Sequence, residues 1–314
     1  MNTPKVSIVG AGQVGSTTAH LLLLKQLADV ALVDIVPGLA EGKALDLLQA
    51  AAAEGLPHQV TGTTDYDALA GSRLVVITAG VARKPGMSRD DLLMTNAGIV
   101  SPLAGQIARH APEAIVIVVT NPLDVMTSLV LSRTGFPRSR VMGMAGVLDT
   151  SRLKAFIAQR LGRSPADVEA TILGSHGDLM VPLRSSITVG GKPLTSLLDA
   201  QEIDRLLSRA RDGGAEIVAL LKTSSAYYAP AGGIAQMVAA ILHDQRTVLP
   251  VCAWLDGEYG LKDVCLGVPA ELGAKGIERI VELPLGADER AALQRAAGQV
   301  SEATKLLHTA KAAA

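Results

Sequence analysis

Over the first half of the chain, short β-branched runs alternate with longer stretches in which apolar residues recur every three or four positions. The runs at residues 6–9, 30–34, 74–78 and 115–120 are each bounded by turn residues or helix starts, as strands buried on both faces are. Between them, residues 13–25, 39–52, 91–110 and 124–134 carry helical spacing. Regular alternation of this kind predicts an α/β fold built on a doubly wound parallel sheet.

After about residue 141 the texture changes. A helix is expected over residues 150–161, strands over 168–173 and 187–189 with a Gly190-Gly191 turn, and helices over 199–222 and 231–243. Strands over 247–255 and 259–268 and an amphipathic helix over 287–308 complete it. This reads as a second, mixed α+β domain, so the chain divides into residues 1–145 and 146–314. No repeat or low-complexity linker is visible, and only the Ala-rich residues 311–314 read as a frayed tail.

Composition narrows the function classes. The 314 residues, 48% hydrophobic and 19% charged, suffice for a large core and roughly two domains. Aromatic residues make up 2%, so that core must be built from Ala, Val, Leu and Ile. A formal charge of −1, from 29 basic and 30 acidic residues, favours neither nucleic acid nor an anionic membrane as a partner. Apolar runs such as residues 114–119 are far shorter than the ~20 residues of a membrane helix. Residues 5–9 run straight into a strand where a targeting segment would show a long apolar stretch, so the expected location is the cytoplasm. Cys252 and Cys265 show no CxxC spacing and no His/Cys cluster, which predicts neither a disulfide framework nor a metal site.

One glycine motif stands where it can act. Gly10-Ala11-Gly12-Gln13-Val14-Gly15 follows the first strand directly and opens the first helix. Gly10 permits the tight turn, Gly12 lets a pyrophosphate approach the backbone, and Gly15 allows close helix–strand packing. The phosphates would then meet the positive end of the helix. Asp34 closes the second strand about 20 residues on, where its carboxylate can accept both ribose hydroxyls and repel a 2′-phosphate. The expected cofactor is therefore NAD in preference to NADP.

Four later segments place polar residues at the ends of elements. They are Arg83-Lys84-Pro85-Gly86-Met87-Ser88-Arg89, Thr120-Asn121-Pro122, Asp149-Thr150-Ser151-Arg152 and Gly174-Ser175-His176-Gly177-Asp178. Singly, each has a plain structural explanation. His176 can be a turn histidine, Asp149 a helix N-cap, Arg152 a solvated first-turn residue, Asn121-Pro122 an ordinary turn, and the loop cations a surface patch.

Together, and in this order, the segments make the chain similar to the lactate/malate dehydrogenase family over essentially its whole length. The resemblance implies His176 as the proton-transfer group, Asp149 as its carboxylate partner and Arg152 as the grip on the substrate carboxylate. It implies Arg89 as the loop arginine that polarises the carbonyl, and Asn121 as the amide beside the reacting oxygen. Gly10, Ala11, Gly12, Gln13, Val14, Gly15, Asp34, Asn96 and Asn121 fall at its cofactor positions. Malate-preferring members have arginine where Arg83 stands and lactate-preferring members typically glutamine, so the resemblance implies a dicarboxylate, the malate/oxaloacetate pair, as substrate. It also implies a homodimer or homotetramer; helices such as residues 39–52 and 199–222 are candidate contact faces, although amphipathicity alone does not separate subunit contact from intramolecular core.

The chemistry independently requires such parts. Hydride departure from a secondary alcohol needs a base for the hydroxyl proton and a cation near the oxygen, and histidine titrates near neutrality. A carboxylate beside it favours the imidazolium and fixes which ring nitrogen faces the substrate. A guanidinium fork matches a planar carboxylate. Three alternatives stand beside this reading: a dehydrogenase for lactate or a branched 2-hydroxy acid, an NAD-dependent glycosidase, and a non-catalytic NAD-binding protein.

Overall fold

A computed structural model describes residues 3–82 and 86–312, with side chains described to residue 307. The first half runs β1 (Lys5–Val9), α1 (Gln13–Leu24), β2 (Asp29–Val33), α2 (Leu39–Ala53), β3 (Val60–Thr63), β4 (Leu74–Ile77), α3 (Arg89–His110), β5 (Ile115–Val118), α4 (Leu123–Thr134) and β6 (Val141–Gly143). These strands pair in the order β3-β2-β1-β4-β5-β6, every pair parallel. Helices cover both faces of the sheet. That is why Leu74, Val75, Val76 and Ile77 are all buried, with no polar position between them. The chain steps outward from β1 to β3 and then crosses back to β4, so a crevice opens at the carboxyl ends of β1 and β4, where such sheets bind ligands.

The second half runs α5 (Gly146–Leu161), β7 (Val168–Glu169), β8 (Ile172–Gly174), β9 (Met180–Pro182), β10 (Thr188–Val189), β11 (Lys192–Pro193), α6 (Ala200–Leu221), α7 (Tyr228–Leu242), β12 (Thr247–Asp256), β13 (Lys262–Gly273), β14 (Gly276–Ile280) and α8 (Ala287–Ala312). It is mixed, as expected, and it extends the first sheet. β12 pairs with β6, and the order continues β12-β13-β8-β9 with antiparallel pairing, β14 lying against β13. The main core therefore runs without a break from Val6 and Ile8 to Leu266 and Leu293. A smaller cluster, including Leu153, Ile157, Ile172, Ile187 and Ile203, holds α5 and α6 over the short sheet β11-β10-β7. Among the described residues no helix is long and apolar enough to cross a membrane.

Several elements depart from the expectation for physical reasons. The strand expected over residues 168–173 is two strands, because β7 pairs with β10 while β8 turns away to join β13. Tyr259, expected to open a strand, sits at φ 56° in a tight turn, and β13 begins at Lys262. β3, β6, β9 and β14 were not expected: they are short and carry little periodicity, and the neighbouring strands supply their pairing. α5 begins at Gly146, not at residue 150, since Val147 and Leu148 already pack in the core. Asp149 consequently lies inside the first turn and is not the N-cap, which is Ala145.

Candidate active site

The glycine loop occupies the crevice edge. Gly10 has φ +107°, and a Cβ built on it would come within 2.6 Å of the Ala79 backbone nitrogen. A Cβ on Gly15 would lie 1.9 Å from the Gly10 carbonyl oxygen, so α1 can approach β1 only with glycine there. Gly12 differs, since a Cβ on it meets nothing within 4 Å. Its lack of a side chain leaves space beside the N–H groups that the first turn of a helix leaves without internal partners. Gln13 is exposed, Val14 half-buried and Ala11 buried. At the end of β2, Asp34 accepts the Ala11 N–H at 2.7 Å and the Val36 N–H at 3.0 Å, which holds its carboxylate against the loop. An open anion cradle beside a fixed carboxylate fits a dinucleotide.

The next two strand ends are tied together by Asn96 of α3. Its Oδ1 accepts the Val81 N–H at 2.8 Å, and its Nδ2 donates to the carbonyls of Val81 at 3.1 Å and Asn121 at 2.6 Å. Asn96 is fully buried, so it acts on the crevice through these two loops. The side chain of Asn121 is exposed, and the Asn121-Pro122 peptide is cis.

The acid–base cluster assembles from α5 and the turn after β8. His176 Nδ1 lies 2.8 Å from Asp149 Oδ2, and Arg152 Nη1 donates to Asp149 Oδ1 at 3.3 Å. Asp149 and Arg152 are three residues apart on one helix, and so share a face. The Asp149 side chain is 4% exposed and that of His176 is 17% exposed, so the ring reaches the surface while its partner does not. Burial works against charge on the imidazole, and the Asp149 carboxylate, with Asp124 assisting, outweighs it: the His176 pKa is raised. Burial lowers the pKa of Arg152, and Asp149 opposes that shift. The carboxylate on Nδ1 leaves Nε2 as the nitrogen available for proton exchange.

Arg89 is the first residue of α3, after Ser88, whose hydroxyl and Asp91 form a capping box. Its guanidinium is 71% exposed and pairs with Asp178, two residues beyond His176. Arg83 lies outside the described residues. Of the sequence-predicted substrate residues, the structure thus brings His176, Asp149 and Arg152 into one cluster and links Arg89 to the same turn.

Two features escaped the sequence reading. Asp124 lies beneath the His176 turn, and its signal was an acid within a stretch of α4, residues 123–130, that is otherwise Leu, Val, Met, Thr and Ser and is buried throughout. Gly213 and Gly214 of α6 make room for Arg152, since Cβ atoms there would lie 3.3 Å from its Cδ and 3.4 Å from its Nη2. Paired glycines inside a helix, where each costs stability, were the signal.

A nucleotide cradle and an Asp-bridged His–Arg pair on one continuous sheet define a dehydrogenase of the lactate/malate class, and the chain belongs to that family. The lactate/malate dehydrogenase NAD-binding domain matches residues 4–143, and the α/β C-terminal domain of the same family matches residues 146–310. The malate dehydrogenase of Trichormus variabilis is 56% identical over 98% of this chain and 94% of its own. The crystal structure of Cryptosporidium parvum malate dehydrogenase superposes with a TM-score of 0.96 at 41% identity, covering 98% of this chain and all of that one. The lactate dehydrogenase from the same organism, complexed with lactic acid and NAD, gives 0.95 at 40% identity, covering 98% of this chain and 99% of that one.

Proposed function

We propose that the chain is an NAD-dependent malate dehydrogenase, which moves a hydride reversibly between malate and NAD to give oxaloacetate and NADH. The observation that carries the reading is Asp149, buried between His176 and Arg152 and bonded to both. One carboxylate thereby orients the proton carrier and the anion grip relative to each other.

Residues 1–145 form the NAD-binding part and residues 146–314 complete the substrate site. Gly10, Ala11, Gly12, Gln13, Val14 and Gly15 present the first-turn amides to the pyrophosphate, Asp34 takes the ribose, and Asn96 holds the strand-end loop that carries Asn121. NAD supplies the hydride acceptor when bound. His176 takes the hydroxyl proton on Nε2 during oxidation and returns it during reduction, while its Nδ1–H stays on Asp149. Arg152 holds the carboxylate next to the reacting carbon as a fork. Arg89, on the rim in this structure, exchanges Asp178 for the substrate oxygen and stabilises charge there. Arg83 takes the distal carboxylate, which lactate lacks. On this reading the enzyme works in the cytoplasm as a homodimer or homotetramer, and exposed Leu45 and Leu48 of α2 and Leu220 and Leu221 of α6 support those helices as contact faces.

The likeness to a lactate dehydrogenase at a TM-score of 0.95 favours a second substrate, pyruvate, because the fold is common to both activities. Mixing the protein with NADH and either oxaloacetate or pyruvate, and following NADH absorbance, separates them. Oxaloacetate should win by about 100-fold or more in kcat/KM, since a closed site leaves the Arg83 charge unpaired with pyruvate. Faster turnover of pyruvate, or none of either, overturns the assignment.

A further inference from the structure

Beneath the turn that carries His176 lies a carboxylate for which the acid–base reading has no use. Asp124, the second residue of α4, is 3% exposed. Its Oδ2 accepts the Ser175 hydroxyl at 2.7 Å and the backbone N–H of His176 at 3.1 Å. Oδ1 is buried and, among the described residues, has no partner of normal hydrogen-bond geometry, although the Cys252 thiol interacts with the carboxyl group. From the other side, the strand leading into the turn comes into close backbone contact with β13. A Cβ on Gly267 of β13 would lie 2.4 Å from the carbonyl oxygen of Gly174.

Removing a carboxylate from water is costly, and a neutral side chain could accept the same two bonds. The position therefore calls for what a charge adds: stronger hydrogen bonds to the turn, and a negative field behind the imidazole. We propose that Asp124 is a positioning residue for His176, clamping the turn so that Nδ1 stays on Asp149 and Nε2 faces the substrate. The proposal rests on His176 being the proton carrier.

The charged and titratable groups around the ring are Asp149 and Arg152 from α5 and Asp124 from α4. Cys252 of β12 and Cys265 of β13 lie behind Asp124, and Asp178 with its partner Arg89 stands on the loop side. Burial raises the Asp124 pKa, and its bond to Ser175, the nearby Cys252 thiol and the charge of His176 oppose that rise. The Asp124 charge in turn favours the protonated ring.

The test compares Asp124→Asn, Ser175→Ala and His176→Asn in the full chain, reading kcat for oxaloacetate reduction, NADH affinity by fluorescence, thermal midpoint and pH profile. Asp124→Asn should lower kcat by about 10- to 30-fold, the scale of weakened charge-assisted bonds, with NADH affinity kept and the basic limb of the profile moved to lower pH. Ser175→Ala, which leaves the charge in place, should cost about fivefold without moving that limb. Wild-type kcat and pH limb in Asp124→Asn overturn the proposal, as does a fall in NADH affinity and thermal midpoint with the limb unmoved. If Asp124→Asn does not fold, Ser175→Ala decides: unchanged kcat overturns the clamp. An active His176→Asn overturns the underlying reading and the proposal with it, whereas an inactive one beside a normal Asp124→Asn overturns the proposal alone.

Discussion

Replacing Asp149 by Asn keeps the shape of the side chain and removes its charge at the centre of the cluster. In the native protein the Nδ1–H of His176 points at a carboxylate that is 4% exposed, so the bond is charge-assisted and little screened. Bonds of that kind are worth about 1.5–3 kcal/mol, which at 1.36 kcal/mol per tenfold lowers kcat/KM for oxaloacetate by about 10- to 150-fold. The pH dependence gives the sign. Reduction needs the protonated ring, and although burial opposes the charge, Asp149 together with Asp124 raises the His176 pKa, so the protonated form persists above histidine's ordinary range. Without the charge, burial dominates and the basic limb of the reduction profile moves to lower pH. Stability follows the same linkage. A histidine with a raised folded pKa stabilises the protein below its unfolded pKa and loses that contribution as pH rises through the folded value, so the variant should lose stability most on the acid side. The assay is initial velocity of NADH oxidation across pH, with NADH fluorescence titration as the control for folding. A variant within threefold of wild type, with its basic limb in place, refutes the reasoning.

Other substitutions test separate parts of the site. Arg83→Gln should shift relative kcat/KM from oxaloacetate towards pyruvate, by about tenfold or more, in paired steady-state assays; an unchanged ratio makes Arg83 a rim cation. Asp34→Ser should weaken NADH by about 10-fold and narrow the gap to NADPH, since both a ribose acceptor and a repelling charge are lost; titrations with the two cofactors check it, and an unchanged NADH/NADPH ratio contradicts it. Gly214→Val should crowd the Arg152 guanidinium, which a Cβ already approaches at 3.4 Å. It should raise KM for oxaloacetate by about 10-fold with NADH affinity intact, and an equal loss of both would point to general damage of α6.

The cofactor half was legible because its residues act close to where they stand in sequence. Gly10, Gly12 and Gly15 read as a turn, an opening and a contact, and the structure gives each that geometry. The parallel sheet was likewise written in local periodicity. The substrate side depends on contacts between distant segments, such as His176 with Asp149 or Arg89 with Asp178, and no spacing rule encodes these. There the residue types were visible but not their partners. Asp124 shows the limit most clearly: as a second-position acid it resembles an ordinary helix start, and only the fold brings it under Ser175 and His176. Edge strands such as β9 and β14 escaped for a related reason, since their pairing comes from β8 and β13 and not from their own patterning.

In the proposed mechanism one imidazole carries the proton, and His176→Asn tests that role directly. Asparagine preserves much of the volume and can still bond to Asp149, but it cannot exchange a proton near neutrality. NADH binding, followed by fluorescence, should remain within about twofold, while oxaloacetate reduction falls by about 10²–10⁴-fold, the range that general acid–base groups supply. Turnover near the wild-type rate, with NADH still bound, would contradict the central claim.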